Sequence, residues 1–335
     1  MKIKRLAAAL STLAIVVGLL TVSISSAAAS APAHRNWVRI CIHHPYDHRR
    51  CRAFWRAILR EYASTKPATP PTGMAPPAGY SASQLTFDDR FAGTSLDTAN
   101  WNTAMGGQGD PTWNAQGLPL HDSAAGTHLH ETYFSPSQVT VDNGLTLTMV
   151  PDATHSPLGY AYRSGVVTSY GKFTLSRGYV QVRAKMSDAS GGGWPAIWFI
   201  DPNGGGGDQE IDLQEGGFTP DDAGLPNGTP ENNVLVTTYH TPSGNQSDFG
   251  YATPAPMNAG YNTFGMEYIP GQSIKTYFNG KLVGWWNKDI STTPYETVIW
   301  NSQAASNTSG YHTVGASPDP SEMSIAEVQV YTPGA

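Results

Sequence analysis

Past about Ser83 the chain is written in short runs whose apolar residues fall at every second position, each run closed by Gly, Pro, Asn or Asp. That period places successive side chains on opposite faces of an extended backbone, so these runs are strands and their ends are turns. Val139-Thr140-Val141 and Leu145 to Val150 flank Asp142-Asn143-Gly144, a hairpin signal. Tyr179 to Met186 alternates, and Ile274 to Phe278 reaches Asn279-Gly280 and returns as Lys281-Leu282-Val283. A last strand runs from Met323 to Tyr331, and no long helical period appears in this region. With 35 Gly and 25 Pro to supply turns, and charged residues at only 14%, the pattern implies an all-β fold, an antiparallel β-sandwich.

Charge divides the rest. Residues 34–66 carry eight Lys/Arg against two acids, a net of +6, whereas residues 67–335 carry nine against 24, a net of −15. The first 29 residues read as a signal peptide. Lys2, Lys4 and Arg5 precede an apolar run from Leu6 to Ile24, and small residues at Ala27-Ala28-Ala29 and Ala29-Ser30-Ala31 offer cleavage sites. An uncleaved membrane anchor is the alternative, since the run is long enough to span. A secreted, extracellular protein is expected. Residues 30–66 then form a basic segment with a helical pattern from about Arg50 to Tyr62, in which Arg52, Arg56 and Arg60 make a stripe. Such a stripe can meet a cell-wall or membrane surface, dock on the acidic domain, or simply stay solvated. Cys41 and Cys51 can pair in an exported chain. Residues 67–83 read as a Pro-rich linker, and residues 84–333 as the strand-rich main domain.

The chemistry concentrates in Glu210-Ile211-Asp212-Leu213-Gln214-Glu215. On a strand, Glu210 and Asp212 share a face, while Glu215 points away unless the strand carries a bulge. One extra residue at Leu213-Gln214 returns Glu215 to the face of the other two. Three acids on one face repel, so at least one holds its proton to higher pH. Glycosidic bond cleavage requires such a split between an ionised carboxylate and a protonated one. An acidic exposed strand or a calcium site would show the same composition. Upstream, Gly191-Gly192-Gly193 leads into Trp194-Pro195-Ala196-Ile197-Trp198. Tryptophan faces can pack on sugar rings. Trp194 is expected exposed in a cleft, and Trp198 buried.

In order along the chain, several stretches resemble glycoside hydrolase family 16, the laminarinase, lichenase, agarase and carrageenase group. They are Thr86 to Phe91 with Trp101-Asn102, Glu131 to Phe134, Ser164 to Ser169, Gly178 to Lys185, Trp194 to Trp198, Glu210 to Glu215 and Ile325 to Tyr331. The resemblance implies a concanavalin-like jelly roll with a concave sugar-binding cleft. It implies Glu210 as nucleophile, Glu215 as general acid/base, Asp212 as the residue that tunes the nucleophile, and retention of anomeric configuration. The six-residue spacing is that of the bulged, laminarinase- and agarase-like branch. Two departures stand out. Asn203 to Gln209 replaces a second Trp-Pro and a Gly before the nucleophile, and Ala326-Glu327 replaces an Asp followed by an aromatic, at a position that bears on an outer-face metal contact.

His240 ends the strand Val234 to His240 and is a candidate for sugar hydroxyls or for an acid partner; Glu131 and Trp113 are further substrate candidates. His43, His44 and His48, and the pair His128 and His130, lack the spacing or the third ligand of a metal site, so no metal site is assigned. No cofactor is expected to be required; a structural calcium ion is compatible with the acidic domain. The expected partner is a polysaccharide, with no nucleic acid and a monomeric chain. The leading function is endo-hydrolysis of a β-linked polysaccharide, a β-1,3-glucan first, by double displacement. Transglycosylation and non-catalytic carbohydrate binding on the same sandwich are the alternatives.

Overall fold

The structure is a computed structural model that describes residues 73–103, 131–152, 160–201, 209–303 and 317–334. The basic segment, Cys41, Cys51, Trp113, His128, His130 and the glycine run at 204–207 lie outside the described residues. Among the described residues the strands are β1 (Leu85–Asp89), β2 (Thr132–Phe134), β3 (Val139–Val141), β4 (Leu145–Pro151), β5 (Tyr162–Ser164), β6 (Val166–Thr168), β7 (Gly178–Lys185), β8 (Gly193–Ile200), β9 (Glu210–Glu215), β10 (Val234–His240), β11 (Gln246–Ala252), β12 (Asn262–Ile269), β13 (Ser273–Phe278), β14 (Lys281–Trp286), β15 (Glu296–Gln303) and β16 (Ser321–Tyr331). Helical structure here is limited to short 3-10 turns.

Two sheets form. A ten-stranded sheet runs β14-β13-β12-β7-β16-β4-β5-β2, with β1 also on β16 and β3 on β4; a six-stranded sheet runs β11-β10-β9-β8-β15-β6. Pairing is antiparallel throughout except between β2 and β5, which lie parallel, a local departure from the all-antiparallel expectation. The turns follow their sequences: Asn279-Gly280 closes β13 onto β14 with φ of +49° and +78°, the left-handed values a tight hairpin demands.

The inner faces bury one core. Ile197, Phe199, Ile211, Leu213, Leu235 and Ile299 of the six-stranded sheet meet Val180, Val182, Phe264, Met266, Ile274 and Val328 of the other. Alternation then sends the intervening side chains of the six-stranded sheet, the acids among them, to its outer face.

The outer face of the ten-stranded sheet is covered in its middle by the chain at 73–80. The Met74 amide donates to Glu327 Oε2 at 2.6 Å, Gln181 Nε2 donates to the Ala75 carbonyl at 3.0 Å, and the Tyr80 ring rests on Tyr179 and Tyr331. This cover explains why β7, which alternates in sequence, is buried on both faces along its first five residues. Glu327, at the unusual position in the last strand, is buried and meets the Arg90 guanidinium at 3.2 Å, which also holds Asp88 at 3.0 Å. Its negative charge is therefore answered by a protein cation and a backbone amide.

Candidate active site

β9 lies between β8 and β10, and its register with both shows an extra residue. Against β8, Glu215 faces Ala196, Gln214 faces Ile197, and Asp212 faces Trp198. Against β10, Glu215 faces Val236 and Asp212 faces Thr238, so three steps of β9 match two of its neighbour. The bulge expected at Leu213-Gln214 is present. Leu213 lies in the inner core and Gln214, fully buried opposite core residue Ile197, turns its Nε2 to the Glu215 carbonyl at 3.0 Å. With both of these side chains off the outer face, Glu215 joins Glu210 and Asp212 there.

Three rows cross this face. Gln246, His240, Glu210, Ile200 and Glu296 make one; Asp248, Thr238, Asp212, Trp198 and Val298 the next; Gly250, Val236, Glu215, Ala196 and Trp300 the third. His240 Nε2 stands 3.9 Å from Glu210 Oε1 and 3.7 Å from Asp212 Oδ2, between the two acids and outside hydrogen-bond length to either. In the middle row, Asp212 Oδ2, Thr238 Oγ1 and Trp198 Nε1 are buried without a hydrogen-bond partner among the described residues. Buried polar atoms left so are costly and concentrate where a fold must receive something.

Glu215 is pushed well above the ordinary carboxyl range, first by burial, then by the charges of Asp212 and Asp248. It is thus the member of the trio suited to carry a proton, while Glu210, 15% exposed, stands beside the His240 imidazole. The donor atoms of Glu210, Asp212 and His240 fall within 4.8 Å of one another, a spacing that a cation can bridge.

Trp194 departs from expectation. It is on the acid-bearing face but only 5% exposed, packed edge-on to Trp300 at 6.4 Å. Trp300 also lies 4.9 Å from Trp198 and stacks on Phe134, and with Ala196, Ile200, Val166 and Val298 these rings form a second apolar cluster. Neighbouring strands each bring tryptophan to one face, so the rings cover one another. Trp198 is buried, as expected. Glu131 is not brought to the acids; its backbone pairs with Gln303 at the end of β15 and with Tyr162. Sequence reasoning missed Trp300, Thr238 and Asp248. The last two were within reach: Pro242-Ser243-Gly244-Asn245 is a turn that sets His240 opposite Gln246, and hence Thr238 opposite Asp248.

On the far side of Glu215, Phe218, Ala223 and Leu225 pack on Val234 and Val236, so the loop after β9 forms a wall beside the acids. Gly216 is pressed against Pro195, where an added Cβ would lie 2.5 Å from its ring.

A walled sheet face that gathers three acids, one of them holding its proton to higher pH, carries the groups that glycosidic chemistry by a pair of carboxyls uses. The chain belongs to glycosyl hydrolases family 16, whose model matches residues 127–314. It is 30% identical over 152 residues to the endo-1,3-1,4-beta-glycanase EglC of Rhizobium meliloti (strain 1021), covering 44% of this chain and 30% of that protein. It is 28% identical over 278 residues to glucan endo-1,3-beta-glucosidase A1 of Niallia circulans, covering 74% of this chain and 37% of that protein. The match thus spans about a third of each relative's own length. Among solved structures, the laminarinase catalytic domain of Thermotoga maritima MSB8 superposes with a TM-score of 0.58 at 21% identity, covering 75% of this chain and 99% of that one. That likeness confirms the jelly-roll architecture.

Proposed function

We propose that the protein is a secreted endo-acting glycosidase that cleaves internal β-1,3 bonds of a glucan by a retaining double displacement. The observation that carries this is the bulge in β9, which gathers Glu210, Asp212 and Glu215 on one sheet face. Glu210 attacks the anomeric carbon while Glu215 donates its proton to the departing oxygen. Glu215, now ionised, then takes a proton from water as that water displaces Glu210. Asp212, between them, lies beside both Glu210 and His240 and tunes the nucleophile. His240 is placed to bind a sugar hydroxyl or orient the acids. The names of the two curated relatives, for 1,3-1,4-beta-glycan and 1,3-beta-glucan cleavage, support the substrate class. Export rests on the basic, apolar and small-residue order of residues 1–31, and surface attachment on the basic stripe at Arg52, Arg56 and Arg60.

The chemistry needs no cofactor. A structural calcium ion is a separate proposal, and a fall in unfolding temperature on adding EDTA would place one. The function itself is tested with Glu210→Gln on laminarin, mixed-linkage glucan, agarose and xyloglucan, reading products by mass. Hydrolysis is lost in the folded variant if the reading holds; full activity removes Glu210 from its role. Lengthened chains with little reducing-end release would replace hydrolysis by transglycosylation.

A further inference from the structure

We propose that Asp248 is a further functional residue of this site, a positioning carboxylate on the acid-bearing face that sets the charge around Glu215. The inference rests on the reading of Glu215 as general acid.

Asp248 sits on β11, the edge strand, where acids ordinarily serve only to discourage edge-to-edge pairing. Two observations separate it from that role. Its register partner is Thr238, which in turn faces Asp212, so Asp248 shares the acid-bearing face, two strands from Asp212 at about 4.8 Å per strand. The Thr238 hydroxyl between them is buried and has no hydrogen-bond partner among the described residues. Next on the same face of β11 is Gly250, over which the loop after β9 closes so tightly that a Cβ would lie 1.9 Å from the Ala223 carbonyl. Asp248 itself, one same-face position short of that wall, keeps its side chain exposed to solvent.

Among the described residues, the charged groups on or beside this face are Glu210 and Asp212 on β9, His240 on β10, Glu296 on β15 with Asp201 at the end of β8, and Asp221 and Asp222 on the loop. Of these, Asp212 and Asp248 are the ones whose charge acts on Glu215, after burial. No cation among the described residues pairs with Asp248. Its charge is therefore free to act across the face, and it acts to keep the proton on Glu215. The alkaline limit of activity, where that proton is lost, thus depends on a residue that makes no bond to the reacting atoms.

The test is the pH profile of kcat/KM on laminarin for the wild type, Asp248→Asn and Asp248→Glu, with thermal unfolding as a check on folding. Asp248→Asn is expected to move the alkaline limb to lower pH, cutting the ratio of activity at pH 8 to that at pH 5 about three-fold, as for a like charge removed at this range. Asp248→Glu restores the limb. A folded Asp248→Asn variant with an unmoved limb, or with a uniform loss at every pH, overturns the proposal. Glu215→Gln, compared on laminarin and on an aryl glucoside whose leaving group needs no proton, tests the underlying reading separately. Equal losses on the two substrates would sink the assignment of Glu215, and this inference with it.

Discussion

Deleting Gln214 is the sharpest probe of the bulge. The six-residue motif needs an extra residue in β9 to bring Glu215 onto the face of Glu210 and Asp212. Without Gln214 the motif is Glu-Ile-Asp-Leu-Glu, in which strict alternation alone places all three acids on that face and both Ile211 and Leu213 in the core. The stability change is small because two terms oppose. The deletion loses the Gln214–Glu215 hydrogen bond, about 1 kcal/mol, and removes the buried Gln214 Oε1, which has no partner and costs about 1–3 kcal/mol. Deleting Leu213 instead sacrifices a buried leucine, a loss of about 2–5 kcal/mol. In urea denaturation the Gln214 deletion should unfold within about 2 kcal/mol of wild type, and the Leu213 deletion well below it. On laminarin the Gln214 deletion should stay clearly above Glu215→Gln, which loses roughly 10²–10⁴-fold under the proposed general-acid role of Glu215. A folded Gln214 deletion no more active than Glu215→Gln would refute the argument that face, and not position along the strand, is what the bulge preserves.

Other outcomes follow from the same geometry. Folding takes up a proton at Glu215 between its ordinary value of 4.5 and its raised folded value, so stability falls as pH rises through that window. Glu215→Gln should therefore narrow the drop in unfolding midpoint between pH 5 and pH 8. Trp300→Ala empties the centre of the outer cluster and should cost about 3–5 kcal/mol in denaturant unfolding. Thr238→Val removes a buried hydroxyl that bonds to nothing among the described residues; stability should hold within about 1 kcal/mol while kcat on laminarin falls, which steady-state kinetics would read.

Much of this was legible from residue spacing. The i, i+2, i+5 placement of the acids demanded a bulge, and the bulge lies between Asp212 and Glu215. Asn143-Gly144 and Asn279-Gly280 announced their hairpins because few other pairs accept their backbone angles. What escaped depended on contacts between strands far apart in sequence. Trp194 looked exposed because its own strand cannot reveal that β15 sets Trp300 beside it. β11 hid because Gln246 to Ala252 is polar and broken by Gly250, as an edge strand with little to bury will be. The burial of both faces of β7 came from a stretch whose composition suggested only a spacer.

The tryptophan cluster has a bearing on how this domain can change. β8 and β15 are buried at every position, one face in the inner core and the other under Trp194, Trp198 and Trp300. Neither strand has a side chain that can vary without a packing penalty, so two of the six strands of the acid-bearing sheet are closed to innovation. Novelty in substrate choice has more room along the exposed edge strand β11 and the loop that walls the face beside it. A mutant library at Gln246–Ala252 and residues 217–229 would sample the exposed positions closest to the acids.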